Sequence, residues 1–395
     1  MAREKYSVAG RFSRLPLENL KDGCVTAMKK EKEDKKIAIL TATSGDTGKA
    51  ALEGFADVEG TEIIVFFPSD GVSEVQKRQM TTQEGKNTHV FAIHGNFDDA
   101  QTGVKKIFND DEFSAMLKEN GIKLSSANSI NIGRLVPQVA YYVYAYIRLL
   151  EQGAVKEGEK INIVVPTGNF GNILAAYYAK NMGIPVNRFI CASNKNKVLT
   201  DFINTGVYDT NREFYCTNSP SMDILISSNL ERLLYHLSGG DGAAISKLME
   251  DLENEKRYQV SGAVKEKMSD FFGGFADEEE TKKAIAEMYE KYGYLIDTHT
   301  AVAYKVYEDY RNATGDETPT VIASTASAYK FAVSVAEALN MPKEPDGFAY
   351  VRALCEKTKV KIPSGLKDLD KKEIRHDSVI DRTALAKAVK DSLGL

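Results

Sequence analysis

The sequence predicts an α/β protein built on two parallel sheets, each covered by helices. Three observations lead there. Short apolar runs, either period-2 or continuous, are followed by a turn and then by a helix-period stretch, and the pattern recurs along most of the chain. Strands that alternate with helices favour parallel sheets buried on both faces. The 395 residues are enough for two domains, each with its own core.

The clearest strands are residues 36–44 (KIAILTATS), 61–68 (TEIIVFFP), 88–95 (THVFAIHG), 160–168 (KINIVVPTG), 188–193 (RFICAS) and 319–325 (PTVIAST). Between them lie amphipathic stretches such as TGKAALEGFA, DDAQTGVKKIF, RLVPQVAYYVYAYIRLLEQG and GNILAAYYAKNMG. The strands before Arg134 form one expected sheet and those from Lys160 to Thr325 the other, with the long helix from Arg134 bridging them. The expected domains are therefore a smaller one over 36–135 and a larger one over 136–345, with a C-terminal helical segment over 346–395. Residues 223–316 read as mostly helical. Within them, DEEETKKAIAEMYEKYG reads as a solvated helix face.

Composition narrows the function. Hydrophobic residues make up 43% and charged residues 27%, the profile of a soluble globular chain. A net charge of -5 gives no reason to expect nucleic acid as a partner. No apolar run reaches the length of a membrane span, and the first residues lack a signal-peptide core. Cys24, Cys191, Cys216 and Cys355 are scattered, which reads as reduced, mostly buried thiols in a cytoplasmic protein. The five histidines show no metal-ligand spacing, so no metal is expected.

Parallel sheets bind ligands beyond the C-terminal ends of their strands, and polar loops fall at those ends. In TATSGDTGKAA, Ser44, Gly45, Asp46 and Thr47 stand where a strand ends and a helix begins. Glycine permits the sharp turn, and the helix N-terminus favours an anion. Helix capping by Ser or Asp also accounts for the pattern. In VVPTGNFGNILAA, Gly168, Asn169, Phe170, Gly171 and Asn172 make a second strand-to-helix turn. Two glycines flanking polar residues suit a backbone nest for phosphate. Neither a Walker loop nor GxGxxG is present, so a single phosphomonoester fits better than a nucleotide. In STASAYKF, the hydroxyls of Ser324, Thr325 and Ser327 would face the same sheet edge. One of them could bond a heterocyclic nitrogen, although a strand-end cap explains them as well.

A fourth cluster, SSANSINIGRL, offers Ser126, Asn128, Ser129, Asn131 and Arg134 ahead of a long helix. Arginine binds phosphate or carboxylate through its two-pronged guanidinium, and the amides and hydroxyls complete such a site. In GYLIDTHTAVAYKVY, Asp297 and Thr298 read as a capped helix start with a hydrogen-bonded His299. An acid–base role for His299 is the alternative.

Together these stretches resemble threonine synthase. So do GNFDDAQTGVKKIFND, NKNKVLTDFINTGVYD and SPSMDILISSNLERLLYHL. The resemblance runs from about Ile37 to about Leu339 and is less distinct over the last fifty or so residues. It implies a tryptophan-synthase-β-like, fold-type II pyridoxal-phosphate enzyme. The implied reaction turns O-phospho-L-homoserine and water into L-threonine and phosphate, a carbon–oxygen lyase step of threonine biosynthesis. It also implies that Gly168, Asn169, Phe170, Gly171 and Asn172 hold the phosphate of pyridoxal 5'-phosphate, that Thr325 faces its ring nitrogen, and that Asp46 lies against it. Ser44, Gly45 and Thr47 are implied at the substrate carboxylate, Asn131 and Arg134, with Ser129 nearby, at the substrate phosphate, and Asn128 among the substrate-binding residues.

One departure stands out. The family carries a lysine in a Phe-Lys-Asp motif that forms the Schiff base with the cofactor, on the helix before the SGDTG strand. Here Phe12 is followed by Ser13, Lys21-Asp22 lies too near Ser44, and Lys29 and Lys30 read as solvated. The family pattern fades upstream of about Ala27. Residues 1–35 are therefore read as an atypical or truncated N-terminal segment, the chain as lacking the N-terminal part of the fold, and its own activity as lost. Two alternatives remain: a non-catalytic remnant of the scaffold, and another fold-type II enzyme, such as a lyase of the serine/threonine dehydratase kind or a cysteine synthase.

Overall fold

The computed structural model describes residues 35–395. Among them the chain forms two compact units: one of residues 35–134 together with Glu344–Leu395, the other of Leu135–Lys343. Phe12, Ser13, Lys21, Asp22, Cys24, Lys29 and Lys30 lie outside the described residues.

The smaller unit opens with β1 (Lys36–Ala42), α1 (Asp46–Phe55), β2 (Thr61–Pro68), α2 (Glu74–Thr81), β3 (Thr88–His94) and β4 (Ile122–Ser126). All these strands pair in parallel, in the order β3-β2-β1-β4. The side-chain period of two explains why both faces are apolar. Ala38, Leu40, Ala42, Ile64 and Phe66 enter one core cluster, while Ile39, Ile63, Val65 and Phe67 enter the other.

The larger unit begins within α3 (Ile132–Glu151) and continues through β5 (Ile161–Pro166), α4 (Gly171–Asn181) and β6 (Val186–Ser193). A short antiparallel pair follows, β7 (Val207–Asp209) with β8 (Arg257–Gln259), then β9 (Phe271–Phe275), α5 (Thr298–Thr314) and β10 (Thr320–Ile322). Its main sheet is parallel, in the order β10-β5-β6-β9. Alternation again divides the side chains: Ile163, Val165, Phe189 and Cys191 pack on one face, Val164, Ile190 and Ala192 on the other.

Five of the described strands escape the sequence pattern: β4, β9, β11 (Val379–Asp381) and the three-residue pair β7 and β8, of which β8 also lies in the stretch read as mostly helical. β9 lies inside the stretch read as mostly helical. Its FFGGF sequence has little alternation to read, and its glycines serve close packing: a Cβ on Gly273 would sit 2.9 Å from the Thr200 backbone. β4 is an edge strand with only its two ends buried. β11 lies in the segment read as purely helical, yet it pairs in parallel with β3 and extends the smaller sheet. Three largely exposed residues held by backbone bonds leave no hydrophobic signature. The rest of Glu344–Leu395 packs on the same unit: Leu385 and Val389 enter its core, and Glu74 accepts from the Gly347 N–H at 2.7 Å.

The cysteine reading needs one correction. Cys191 is buried, and burial pushes its thiol up to about 12, but Cys216 is exposed and Cys355 half-buried. Cys216 sits in an irregular loop that leaves it at the surface. All three are free thiols. Among the described residues no helix is long and apolar enough to cross a membrane, and no cluster of three potential metal ligands occurs.

Candidate active site

In the larger unit, β5 and β10 are neighbours and parallel, so the loops after them share one sheet edge. The loop after β5 enters α4 through Phe170, whose backbone is left-handed at φ 62° and whose side chain offers no cap. Phe170 is itself buried against the core, with its ring 6.1 Å from that of Phe271. A large residue held in this conformation stores strain, which the surrounding packing must offset. The result is a helix N-terminus whose first N–H groups point at no capping side chain, an arrangement suited to an oxyanion.

This loop is braced from below. Ser227 Oγ donates to the Gly168 carbonyl at 3.0 Å, Ser228 Oγ to Asn169 Oδ1 at 3.0 Å, and Asn229 Nδ2 to the Asn169 carbonyl at 2.8 Å. A Cβ on Gly168 would meet the Ser221 carbonyl oxygen at 2.7 Å, so only glycine lets the two backbones approach this closely. The Asn172 amide is already engaged, accepting from the Tyr142 hydroxyl and donating to Gln138 Oε1. Asn172 would therefore contribute to an anion through its backbone alone.

After β10, the three hydroxyls separate by role. Ser327 accepts from the Tyr329 N–H at 3.4 Å and caps a short 3-10 turn, and Ser324 Oγ lies 3.2 Å from Thr300 Oγ1. Half-buried Thr325 has no hydrogen-bond partner among the described residues.

His299 is 2% exposed at the start of α5. Asp297 caps that helix, accepting from the backbone N–H of His299 at 2.9 Å and of Thr300 at 3.3 Å. Asp297 Oδ1 also lies 3.1 Å from His299 Nδ1, and His299 Nε2 accepts from the Ser221 N–H at 3.2 Å. Burial alone would raise the Asp297 carboxyl, but the bonds it accepts from His299 and from the Thr300 hydroxyl outweigh it and hold the carboxyl below its usual range.

In the smaller unit, adjacency of β1 and β4 brings the first and fourth polar loops together. Asn128 joins them directly: its Oδ1 accepts from the Ala42 N–H at 2.9 Å and its Nδ2 donates to the Ala42 carbonyl at 2.6 Å. Arg134 Nη1 donates to the Ala127 carbonyl at 2.9 Å and reaches Thr47 Oγ1 at 3.5 Å. Asn131 is a turn former, with its amide bonded to the Ser126 carbonyl and the Gly133 N–H, both at 2.9 Å. Ser129 is half-buried, with no hydrogen-bond partner for its hydroxyl among the described residues.

Neither Ser44 nor Asp46 caps α1. Its N-cap is Gly45, at φ 135°, and the buried hydroxyl of Thr43 accepts from the Gly45 and Gly48 N–H groups, both at 2.9 Å. The Asp46 carboxylate accepts from Gln76 Nε2 at 2.8 Å. Gln76, only 1% exposed, fills the space that a Gly45 side chain would need.

Thr43, Gln76 and the Ser227-Ser228-Asn229 brace were not singled out by the sequence reading. The last has a local signal: two hydroxyls and an amide ahead of the amphipathic helix Leu230–Leu237. Gln76 has none, because its role depends on packing across 30 residues.

Parallel sheets whose strand-end loops lead into helix N-termini suit an enzyme that holds a phosphorylated cofactor through backbone groups. The comparisons agree. The family described as pyridoxal-phosphate dependent enzyme matches residues 19–326, and that described as threonine synthase, C-terminal, matches residues 300–391. The chain belongs to the threonine synthase family of pyridoxal-phosphate-dependent enzymes.

Its relatives include threonine synthase-like 1 of Homo sapiens, 46% identical over 311 residues, or 77% of this chain and 42% of that protein. The threonine synthase of Pseudomonas aeruginosa is 40% identical over 308 residues, 78% of this chain and 63% of that protein. The chain thus spans less than two thirds of these curated relatives. Among solved structures, the pyridoxal-phosphate-bound threonine synthase of Brucella melitensis aligns at TM-score 0.79 and 36% identity, covering 96% of this chain and 75% of that one. Yeast threonine synthase aligns at TM-score 0.80 and 32% identity, covering 96% and 74%.

The matches extend the resemblance at both ends. The first begins at residue 19, upstream of Ala27, where the pattern was read as fading, and so takes in Lys21 and Asp22. The second reaches residue 391, beyond Leu339.

Proposed function

We propose that this chain binds pyridoxal 5'-phosphate and converts O-phospho-L-homoserine and water into L-threonine and phosphate. The residues present suit the cofactor. The backbone N–H groups of the Gly168–Asn172 turn would hold its phosphate, and the Thr325 hydroxyl, which no described residue engages, would bond its ring nitrogen. When bound, the cofactor supplies an electron sink for carbanions on the substrate. The protein's own residues bind and orient. Ser44, Gly45 and Thr47, at the start of α1, would take the substrate carboxylate. Arg134 and Ser129 would take the substrate phosphate and stabilise its charge as it leaves.

One observation carries the substrate assignment: Arg134 reaches from the fourth loop to Thr47 of the first, so a guanidinium stands beside the N-terminus of α1. A non-phosphorylated amino acid needs only one of these two anion-binding features. This favours the phosphorylated substrate over L-serine or L-threonine.

The test is to supply the full chain with cofactor and either O-phospho-L-homoserine, L-serine or L-threonine. Threonine and inorganic phosphate should appear together from the first alone. Cofactor binding with no turnover of any of the three would leave the non-catalytic scaffold reading. Borohydride reduction followed by peptide mapping would show whether a lysine, Lys21 among the candidates, becomes linked to the cofactor.

A further inference from the structure

We infer that His299 is a positioning residue for the phosphate-holding turn, acting through the backbone of Ser221. This rests on the functional reading above and extends it to a buried histidine that touches neither the proposed cofactor nor the substrate.

Ser221 lies in the short turn Pro220–Met222, and its carbonyl oxygen packs where a Gly168 side chain would be. The turn is held on one flank by Asp223. That carboxylate accepts from Asn194 Nδ2 at 2.7 Å, from Asn196 Nδ2 at 3.0 Å and from the Thr217 N–H at 2.8 Å. His299 holds the other flank: its Nε2 accepts from the Ser221 N–H at 3.2 Å. Nε2 must then be unprotonated, which places the ring proton on Nδ1, facing Asp297. Asp297 is in turn fixed by capping α5. The ring also packs against Phe331, with centroids 4.9 Å apart. The N–H of Ser221 is thus anchored to a rigid helix start, and its carbonyl, in the next peptide group, forms the floor under Gly168. A shift of this floor moves the N–H groups above it, and hydrogen bonds to a charged phosphate are sensitive to such displacement.

The experiment measures dissociation constants of the full chain for pyridoxal phosphate and for pyridoxal, which lacks the phosphate, by equilibrium dialysis. Wild type is compared with His299→Ala, His299→Asn and His299→Gln. His299→Ala should weaken pyridoxal phosphate binding roughly ten- to hundredfold and leave pyridoxal binding unchanged. Glutamine reaches far enough to accept from the Ser221 N–H and should restore most of the affinity. Asparagine keeps a partner for Asp297 but falls short of Ser221, so it should fail as alanine does.

Rescue by asparagine and not by glutamine would show that His299 serves only the helix cap, and would overturn the inference. Equal affinity of wild type and His299→Ala would overturn it too. If His299→Ala does not fold, the asparagine and glutamine variants decide. Failure of wild type itself to bind pyridoxal phosphate would instead overturn the functional reading, and this inference with it.

Discussion

Replacing Gly168 with alanine tests the proposed phosphate cradle directly. The added methyl would lie 2.7 Å from the Ser221 carbonyl oxygen and 3.4 Å from Met222 Cα. A carbon–oxygen contact is comfortable at about 3.3–3.6 Å, so one backbone must yield by more than about half an ångström. Ser221 is poorly placed to yield, because its N–H is bonded to His299 and the next N–H, that of Met222, to the Ser219 carbonyl at 3.0 Å. The loop must move instead, against the Ser227 and Asn229 bonds. Overpacking of this kind costs about 1–3 kcal/mol. In a unit the size of Leu135–Lys343, each kcal/mol lowers Tm by roughly 2–4 °C. The displaced N–H groups would also lose hydrogen bonding to a phosphate. One charge-assisted bond is worth about 1.5–3 kcal/mol, or roughly ten- to hundredfold in affinity. The assay pairs thermal denaturation with a pyridoxal phosphate titration. Gly242→Ala is the control, because nothing lies within 4 Å of the added methyl there. It should be neutral or slightly stabilising. A Gly168→Ala variant with wild-type Tm and wild-type cofactor affinity would refute the close-approach argument.

Three further outcomes are expected. Thr43→Val removes the acceptor for two buried N–H groups and should cost about 1–3 kcal/mol, read by urea denaturation. Phe170→Gly relieves a left-handed residue, worth about 1–2 kcal/mol, but removes a buried ring, typically about 3–5 kcal/mol. Net destabilisation is therefore expected, and a stabilised variant would show that strain dominates. Asp297 has a folded-state pKa below its unfolded value, near 3.9 for aspartate. Its stabilisation is thus present above about pH 4 and is lost as pH falls through the folded value. Asp297→Asn should flatten the acid limb of the stability–pH curve, and an unchanged slope would remove Asp297 from that account.

The sequence by itself determined the fold class. The near-continuous apolar runs at Lys36–Ala42, Thr61–Pro68 and Ile161–Pro166 are written in the residues, because a strand buried on both faces must be apolar nearly throughout. The polar loops at strand ends were equally legible, since glycines and hydroxyls gather between an apolar strand and an amphipathic helix to turn the chain, to cap the helix or to bind a ligand. Strands held mainly by backbone pairing, such as β4 and β11, were not, because hydrogen-bonded backbone leaves no mark on side-chain identity.

Only the tertiary structure decided the division of labour inside the loops. Asp46, Asn131 and Asn172 look alike in sequence as ligand-binding polar residues. The structure gives each of their side chains a protein partner: Gln76, the Ser126 carbonyl, and the Tyr142–Gln138 pair. Thr325 and Ser129 carry hydroxyls that no described residue engages. The difference depends on which groups lie within hydrogen-bond reach after folding, a property of positions distant in the chain. His299 shows the same limit, since its link to Ser221 spans 78 residues and no local pattern records it.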